Sequence, residues 1–241
     1  MNRARALAHL AAALGFAASP YLSDGFSGFR PDQFPVPQDS APVQPAGYAF
    51  ALWGVIYLWL TAGAGYGLWR RAGDAGWRPA RGPLIVSLLI GVAWIPVAKD
   101  SVPWATVMIW AMLVTALAAL ARTPRGDAAW LSGPVGLYAG WLTAASSVAL
   151  GLVLAGYGWT TQVTAAALAL LLALMIAAAV LLRLRPATPS YAVGVVWALI
   201  GIIVQNAGGG SGAILGLAAV GAVLVGMLGL RGRERGDHPV R

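Results

Sequence analysis

The sequence predicts an all-α fold, a polytopic bundle of about eight transmembrane helices, and three observations lead there. Of the 241 residues, 59% are hydrophobic and 10% are charged, against about 25% charged in an ordinary soluble domain. The apolar residues gather into stretches near the roughly 20 residues that cross a hydrocarbon core, separated by charged or Gly/Pro-rich breaks. Basic residues then recur in every second break, as the positive-inside rule requires of loops on one side of a membrane.

The first span, residues 4–20, follows Arg3 and Arg5. Its basic start, apolar run and small residues at Ala17 to Ser19 also fit a secretory signal, although Pro20, just past the cleavage point, favours a retained helix. Residues 21–46 form a Pro-rich external loop; with Pro20 it holds six prolines, three aspartates and the rings of Phe26, Phe29 and Phe34. Such a composition forms no regular helix. It reads either as a disordered tether or as a lid whose aromatics fold over the bundle mouth.

Span 2, residues 47–69, runs into Arg70, Arg71, Arg78 and Arg81. Spans 3 and 4, residues 83–98 and 103–121, are short and joined by Lys99 to Val102, which reads as a tight hairpin with a re-entrant pair as the alternative. Pro103 opens span 4 at a first-turn position that needs no N–H partner, and Pro96 is expected to bend or end span 3. Arg122 and Arg125 precede span 5 (129–156); span 6 (159–182) is nearly pure Ala and Leu and is followed by Arg183 and Arg185. Span 7 (190–206) and span 8 (212–230) are linked by Gly208 to Gly212, a glycine run read as a hinge because no Lys-Ser/Thr pair follows it. A basic tail, 231–241, closes the chain.

This phasing places 14 of the 16 basic residues on the side of both termini and leaves Arg30 and Lys99 opposite. By the positive-inside rule that side is the cytoplasm, and the protein is expected in the cell (plasma or inner) membrane.

The same residues exclude much chemistry. There is no cysteine, and His9 and His238 lie at opposite ends, so no metal cluster is expected. The charge of +8 falls in topological clusters and not along one face, which argues against nucleic acid as a partner. No ionisable residue occupies the deep core of a span, where it would mark an ion pathway; no catalytic residue is expected, and the chain does not read as an enzyme. Thr143, Ser146, Ser147, Gln162, Gln205 and Asn206 are accounted for by hydrogen bonds between helices. Gly63, Gly65 and Gly67, with Gly212 and Gly216, suit close helix approach, within the bundle or across a homodimer.

Aromatic side chains are the unusual resource, with eleven tryptophans. Trp69, Trp77, Trp104, Trp130 and Trp159 fall at span boundaries, where an aromatic belt is expected. Trp53, Trp59, Trp94, Trp110, Trp141 and Trp197 lie within spans. Trp53 and Tyr57 share one face of span 2 at i and i+4, Trp94 reaches a similar depth on span 3, and Tyr138 and Trp141 sit at i and i+3 near the middle of span 5. Rings from three helices therefore converge beneath the Pro-rich loop, an arrangement suited to a flat apolar ligand.

At these residues the chain resembles the tryptophan-rich sensory protein family, also called the translocator protein or peripheral benzodiazepine receptor family. PAGYAFALWGVIYLWL (45–60) is similar to the second-helix signature, AWIPV (93–97) to the third-helix Trp-x-Pro, and LYAGWLTAA (137–145) to the fifth-helix Tyr-x-x-Trp with small residues after it. The resemblance implies a five-helix core, residues 1–156, carrying an aromatic cavity that takes porphyrin, haem-like or sterol ligands, with Trp53, Tyr57, Trp94, Tyr138 and Trp141 as the ligand-binding residues. About three further helices, 157–230, would complete the chain. The sequence departs from the family pattern at Gly91, where the third helix usually has asparagine. It departs again at Phe34 to Pro37, which replaces a Lys-Pro-x-Trp-x-Pro-Pro element.

The leading expectation is a membrane-embedded binding protein, sensor or translocator, for a hydrophobic aromatic small molecule, with no resident cofactor besides such a porphyrin or haem-like ligand. A secondary permease is the alternative, but the chain lacks the internal repeat that alternating access usually uses. A membrane enzyme is the third reading, with no acid, base or nucleophile placed to support it, and a purely structural membrane protein is the fourth.

Overall fold

The computed structural model describes residues 2–23, 25–124, 126–185 and 188–236; Arg125, His238 and the end of the basic tail lie outside them. Among the described residues every regular element is helical. Eight helices follow in order: α1 (Asn2–Leu22), α2 (Leu52–Arg70), α3 (Arg78–Asp100), α4 (Val102–Ala121), α5 (Gly133–Gly156), α6 (Gln162–Ala179), α7 (Pro189–Ala207) and α8 (Gly212–Gly236). Seven of them, α2 to α8 with their adjoining turns, are long and apolar enough to cross a membrane. α1 is not among those seven. Its 21 residues give about 31 Å of helix, but Arg5, His9, Pro20 and Tyr21 lower its mean hydropathy.

The up-and-down order is visible in which connections meet. At one end, Arg71 Nε and Nη2 donate to Asp127 at 2.8 and 3.0 Å, and Arg185 Nη2 donates to Pro124 O at 3.1 Å. These contacts join the α2–α3, α4–α5 and α6–α7 connections. At the other end the loop from α1 to α2 touches the close of α3, α5 and α7: Gln33 Nε2 donates to Ala98 O at 2.9 Å, Val36 N to Gly156 O at 2.8 Å, and Ala46 N to Gly201 O at 3.0 Å. This is the alternation expected from the arginine phasing.

α5 is the axis of the bundle: 72% of its span is buried, against 28% for α2 and α8. It packs against α2 and α4 on one side and α6 and α7 on the other. Glycines allow the closest contact. A Cβ at Gly194 of α7 would stand 2.6 Å from Leu137 O and 2.7 Å from Trp141 N, so α5 and α7 touch backbone to backbone there. In α2, Gly63 and Gly67 receive the Trp130 backbone and the Trp77 ring, which accounts for them within the chain, whereas Gly65, Gly212 and Gly216 face open space.

Two expectations are corrected. Pro96 does not end α3, which continues to Asp100; one missing backbone donor is tolerated where neighbouring helices hold the segment, and Trp94 Nε1, two residues earlier, donates to Ala105 O of α4 at 2.9 Å. Trp77 is no belt residue. It is fully buried, and its Nε1 donates to Asp127 Oδ2 at 2.7 Å. Trp69, Trp104 and Trp159 are exposed as a belt requires. Several buried polar groups bridge elements: Thr143 to Tyr191 at 2.8 Å, Ser87 to Tyr138 at 2.9 Å, Ser146 to Ile109 O at 3.2 Å and Asn206 to Pro42 O at 2.8 Å. Ser147 instead donates within α5, and Gln205 is exposed.

Candidate functional site

Edge-to-face rings, with centroids in the 4.5–7 Å range that aromatic pairs prefer, organise the half of the bundle beneath the α1–α2 loop. Trp53 and Tyr57, one turn apart on α2, stack at 5.5 Å and 16°. Trp53 also meets Trp141 of α5 edge-on at 6.0 Å and Tyr138 at 6.3 Å. Phe16, from α1, stands at the centre, 4.9 Å from Tyr57, 5.6 Å from Tyr138 and 5.8 Å from Trp53. The loop supplies the roof. Phe26 lies 4.7 Å from Trp94 and 6.1 Å from Phe50, and Phe29 lies 6.3 Å from Trp94 and 6.2 Å from Phe34. The loop is thus folded over the bundle mouth, with Phe29 and Phe34 buried.

Two adjoining cavities remain between these rings. The larger, about 210 Å³, is lined by Phe16, Phe26, Trp53, Tyr57, Gly91, Trp94 and Met112 among others. The smaller, about 40 Å³, reaches Phe29, Gln44, Trp141, Ala144 and Val148. They share Phe26, Phe50, Trp53, Trp94 and Ile109. Of the five residues singled out from the sequence, Trp53 and Trp94 border both cavities, Tyr57 the larger and Trp141 the smaller. Tyr138 borders neither; it is wholly buried behind Phe16 and holds Ser87 of α3.

Among the described residues neither cavity has a charged side chain in its lining. The indole N–H of Trp141 is buried without a hydrogen-bond partner, next to the smaller cavity, where Gln44 is the other polar wall residue. A buried, unsatisfied donor is costly, so this N–H favours any occupant that brings an acceptor. Charge is concentrated at the far end of the bundle. There the Arg71 guanidinium, with the Trp77 indole, holds the Asp127 carboxyl below the usual carboxylate range, and Asp127 in turn raises Arg71. Among the described residues no group of three His, Cys, Asp or Glu is placed to hold a metal ion.

With this geometry in view, a family model for TSPO-like proteins matches residues 10–230. The chain belongs to the TSPO-like protein family. No curated protein and no solved structure matches it. The family match runs from α1 through α8 and so includes the three helices that follow α5.

In this TSPO-like chain the departure at Gly91 has a steric counterpart. A Cβ there would collide with the Phe16 ring and approach Met112 Cε to 3.1 Å. Phe16 occupies the space that a larger residue on α3 would fill. Sequence reading missed Phe16, Phe50, Ile109 and Met112 as wall residues. Phe16 sits singly among alanines in the middle of α1, and only the burial of its neighbours reveals its role.

Proposed function

We propose that this TSPO-like membrane protein is a non-catalytic binder of a flat, hydrophobic, aromatic small molecule, acting as sensor or translocator, and that the ligand lies between Trp53, Trp94 and Trp141 beneath the loop. The observation that carries this reading is the pair of adjoining apolar cavities walled by rings from α1, α2, α3, α5 and the loop. Their volume narrows the ligand. The larger cavity, about 210 Å³, exceeds the roughly 150 Å³ that accepts benzene and falls below the ~300–1,000 Å³ of drug-sized sites. A two-ring aromatic suits the closed form, while a tetrapyrrole requires Phe26 and Phe29 to lift away. The unpartnered Trp141 N–H favours a ligand with one hydrogen-bond acceptor.

The rings of Phe16 against Trp53, Tyr57 and Tyr138 support α1 as a retained part of the bundle. The basic clusters support cytoplasmic termini in a cell membrane.

The test is tryptophan quenching in detergent-purified protein, titrated with naphthalene, with a naphthyl ketone and with protoporphyrin, in the parent and in Trp94→Phe and Trp141→Phe. Saturable quenching by the naphthyl ligands is expected, with weaker affinity in Trp94→Phe for both. Trp141→Phe should weaken the ketone by about fivefold to tenfold, the worth of one hydrogen bond of roughly 1 kcal/mol, and leave naphthalene nearly unchanged. Quenching that never saturates, or affinities unmoved by both variants, would contradict the proposal.

A further inference from the structure

Two apolar grooves open on the outside of the bundle, one on each side of α8. The groove between α7 and α8, about 330 Å³, has no charged residue among the described residues of its wall. The groove between α6 and α8, about 360 Å³, is walled by Leu171, Met175 and Ala178 on one side and Leu224 and Leu228 on the other, and it ends at Arg231. α6 and α8 run in the same direction, so their two walls extend together over seven residues, about 10 Å, towards the same end. There the turn Val180–Leu184, which carries Arg183, packs against α8. Among the described residues, neither Arg183 nor Arg231 takes part in an ion pair.

A lateral apolar groove on a membrane-spanning surface meets acyl chains and no aqueous partner. A guanidinium at its end adds a fixed anion preference at headgroup depth, since long basic side chains reach the interface and anionic lipids draw them there. We infer that the α6–α8 groove is a binding site for one anionic phospholipid, with an acyl chain between Met175 and Leu228 and the headgroup phosphate on Arg231, assisted by Arg183. Among the described side chains the α7–α8 groove offers no cation, so it takes lipid without regard to headgroup. This inference needs only that α6 and α8 span the membrane; it is independent of what the aromatic cavity binds.

The experiment is native mass spectrometry of the full chain released from mild detergent with equimolar phosphatidylglycerol and phosphatidylcholine of the same chains. One phosphatidylglycerol should be retained in preference. Arg231→Gln, a change at an exposed side chain, should reduce that preference by about fivefold, the contribution of one basic group near an anionic surface. Ala178→Phe should reduce retention of the preferred lipid by filling the groove, and Val193→Phe, in the other groove, should leave it unchanged. Glycerol phosphate without acyl chains should not compete. Equal retention of the two lipids, a preference untouched by Arg231→Gln, or full competition by glycerol phosphate would each overturn the inference. A loss in Val193→Phe equal to that in Ala178→Phe would overturn the assignment to this groove.

Discussion

The two sides of α5 solve the same packing problem with opposite materials. Towards α1 to α4 it presents Tyr138 and Trp141 to a cluster of rings, and the cluster leaves a space of about 210 Å³ within the bundle. Towards α7 it presents Gly136 and Gly140, which admit the backbone and side chains of Thr188 to Tyr191. α8 similarly brings Gly229 against Ala192 and Gly221 against Leu174. Small residues let helices close on one another, so the spaces beside α6 to α8 lie outside as lateral grooves. On the other side the rings of α1, α2, α3 and α5 meet across a remaining void. The ligand-sized space is therefore a product of side-chain shape, and α6 and α7 back the wall that carries it.

The sharpest way to break this contrast is the same substitution on both sides. Gly194→Ala puts a Cβ against backbone atoms of α5 at 2.6 and 2.7 Å, which cannot give way; a loss of about 3 kcal/mol is expected, the upper part of the overpacking range, read as detergent-denaturation stability. Gly91→Ala meets the side chains of Phe16 and Met112 beside open volume, and should cost about 1 kcal/mol or less. Equal costs would mean that the void is not there to absorb the ring.

The roof offers a second test, since α7 and the loop are tied by Asn206 to Pro42 at 2.8 Å and by Trp197 Nε1 to Ala49 O at 2.9 Å. Asn206→Ala leaves the Pro42 carbonyl and the Ser211 N–H without this partner, and should destabilise by about 2 kcal/mol. It should also speed ligand release in stopped-flow quenching. Release at the parent rate would separate the roof from the cavity.

Smaller still is Tyr191→Phe, which removes the hydroxyl that pairs with Thr143 across α5 and α7. About 1 kcal/mol is expected, with ligand affinity unchanged because Tyr191 faces away from the cavity walls.

The smallest effect belongs to Asp127, partly exposed at the opposite end. Its carboxyl is held below the ordinary range by Arg71 and Trp77, so the stability it adds is present above about pH 4, near its unfolded value, and is lost as pH falls through the folded value. Asp127→Asn should lower Tm by about 2 °C at neutral pH, and the difference from the parent should shrink below about pH 4 and vanish only once the pH lies below the carboxyl's depressed folded value. A gap that persists there would assign the clamp to shape and not to charge.

Much of this was legible from residues. Arginine phasing gave the alternation of the spans, and the i, i+4 pair Trp53–Tyr57 and the i, i+3 pair Tyr138–Trp141 pointed at one region. The limits were physical. Arg81 interrupts an apolar run and so delayed the predicted start of span 3, yet it lies buried inside α3, donating to the carbonyls of Gly67, Arg71 and Ala72 at the close of α2. Trp77 read as belt because a boundary position does not reveal that Asp127, fifty residues on, returns to accept its N–H. Tyr138 shares a face with Trp141 by spacing, but Phe16 stands between it and the void, and no local pattern in α1 announces that. The roof was one of two readings of a proline-rich loop; long-range contacts to Ala98, Gly156 and Gly201 decide it.

The most direct measurement is a crystal structure with a brominated naphthyl ketone, the bromine located by anomalous scattering. The account predicts one dominant peak inside the bundle, between Trp53, Trp94 and Trp141 and beneath Phe26, with the ketone oxygen accepting from Trp141 Nε1. Bromine found only in the grooves beside α8, or no ordered site, would contradict it.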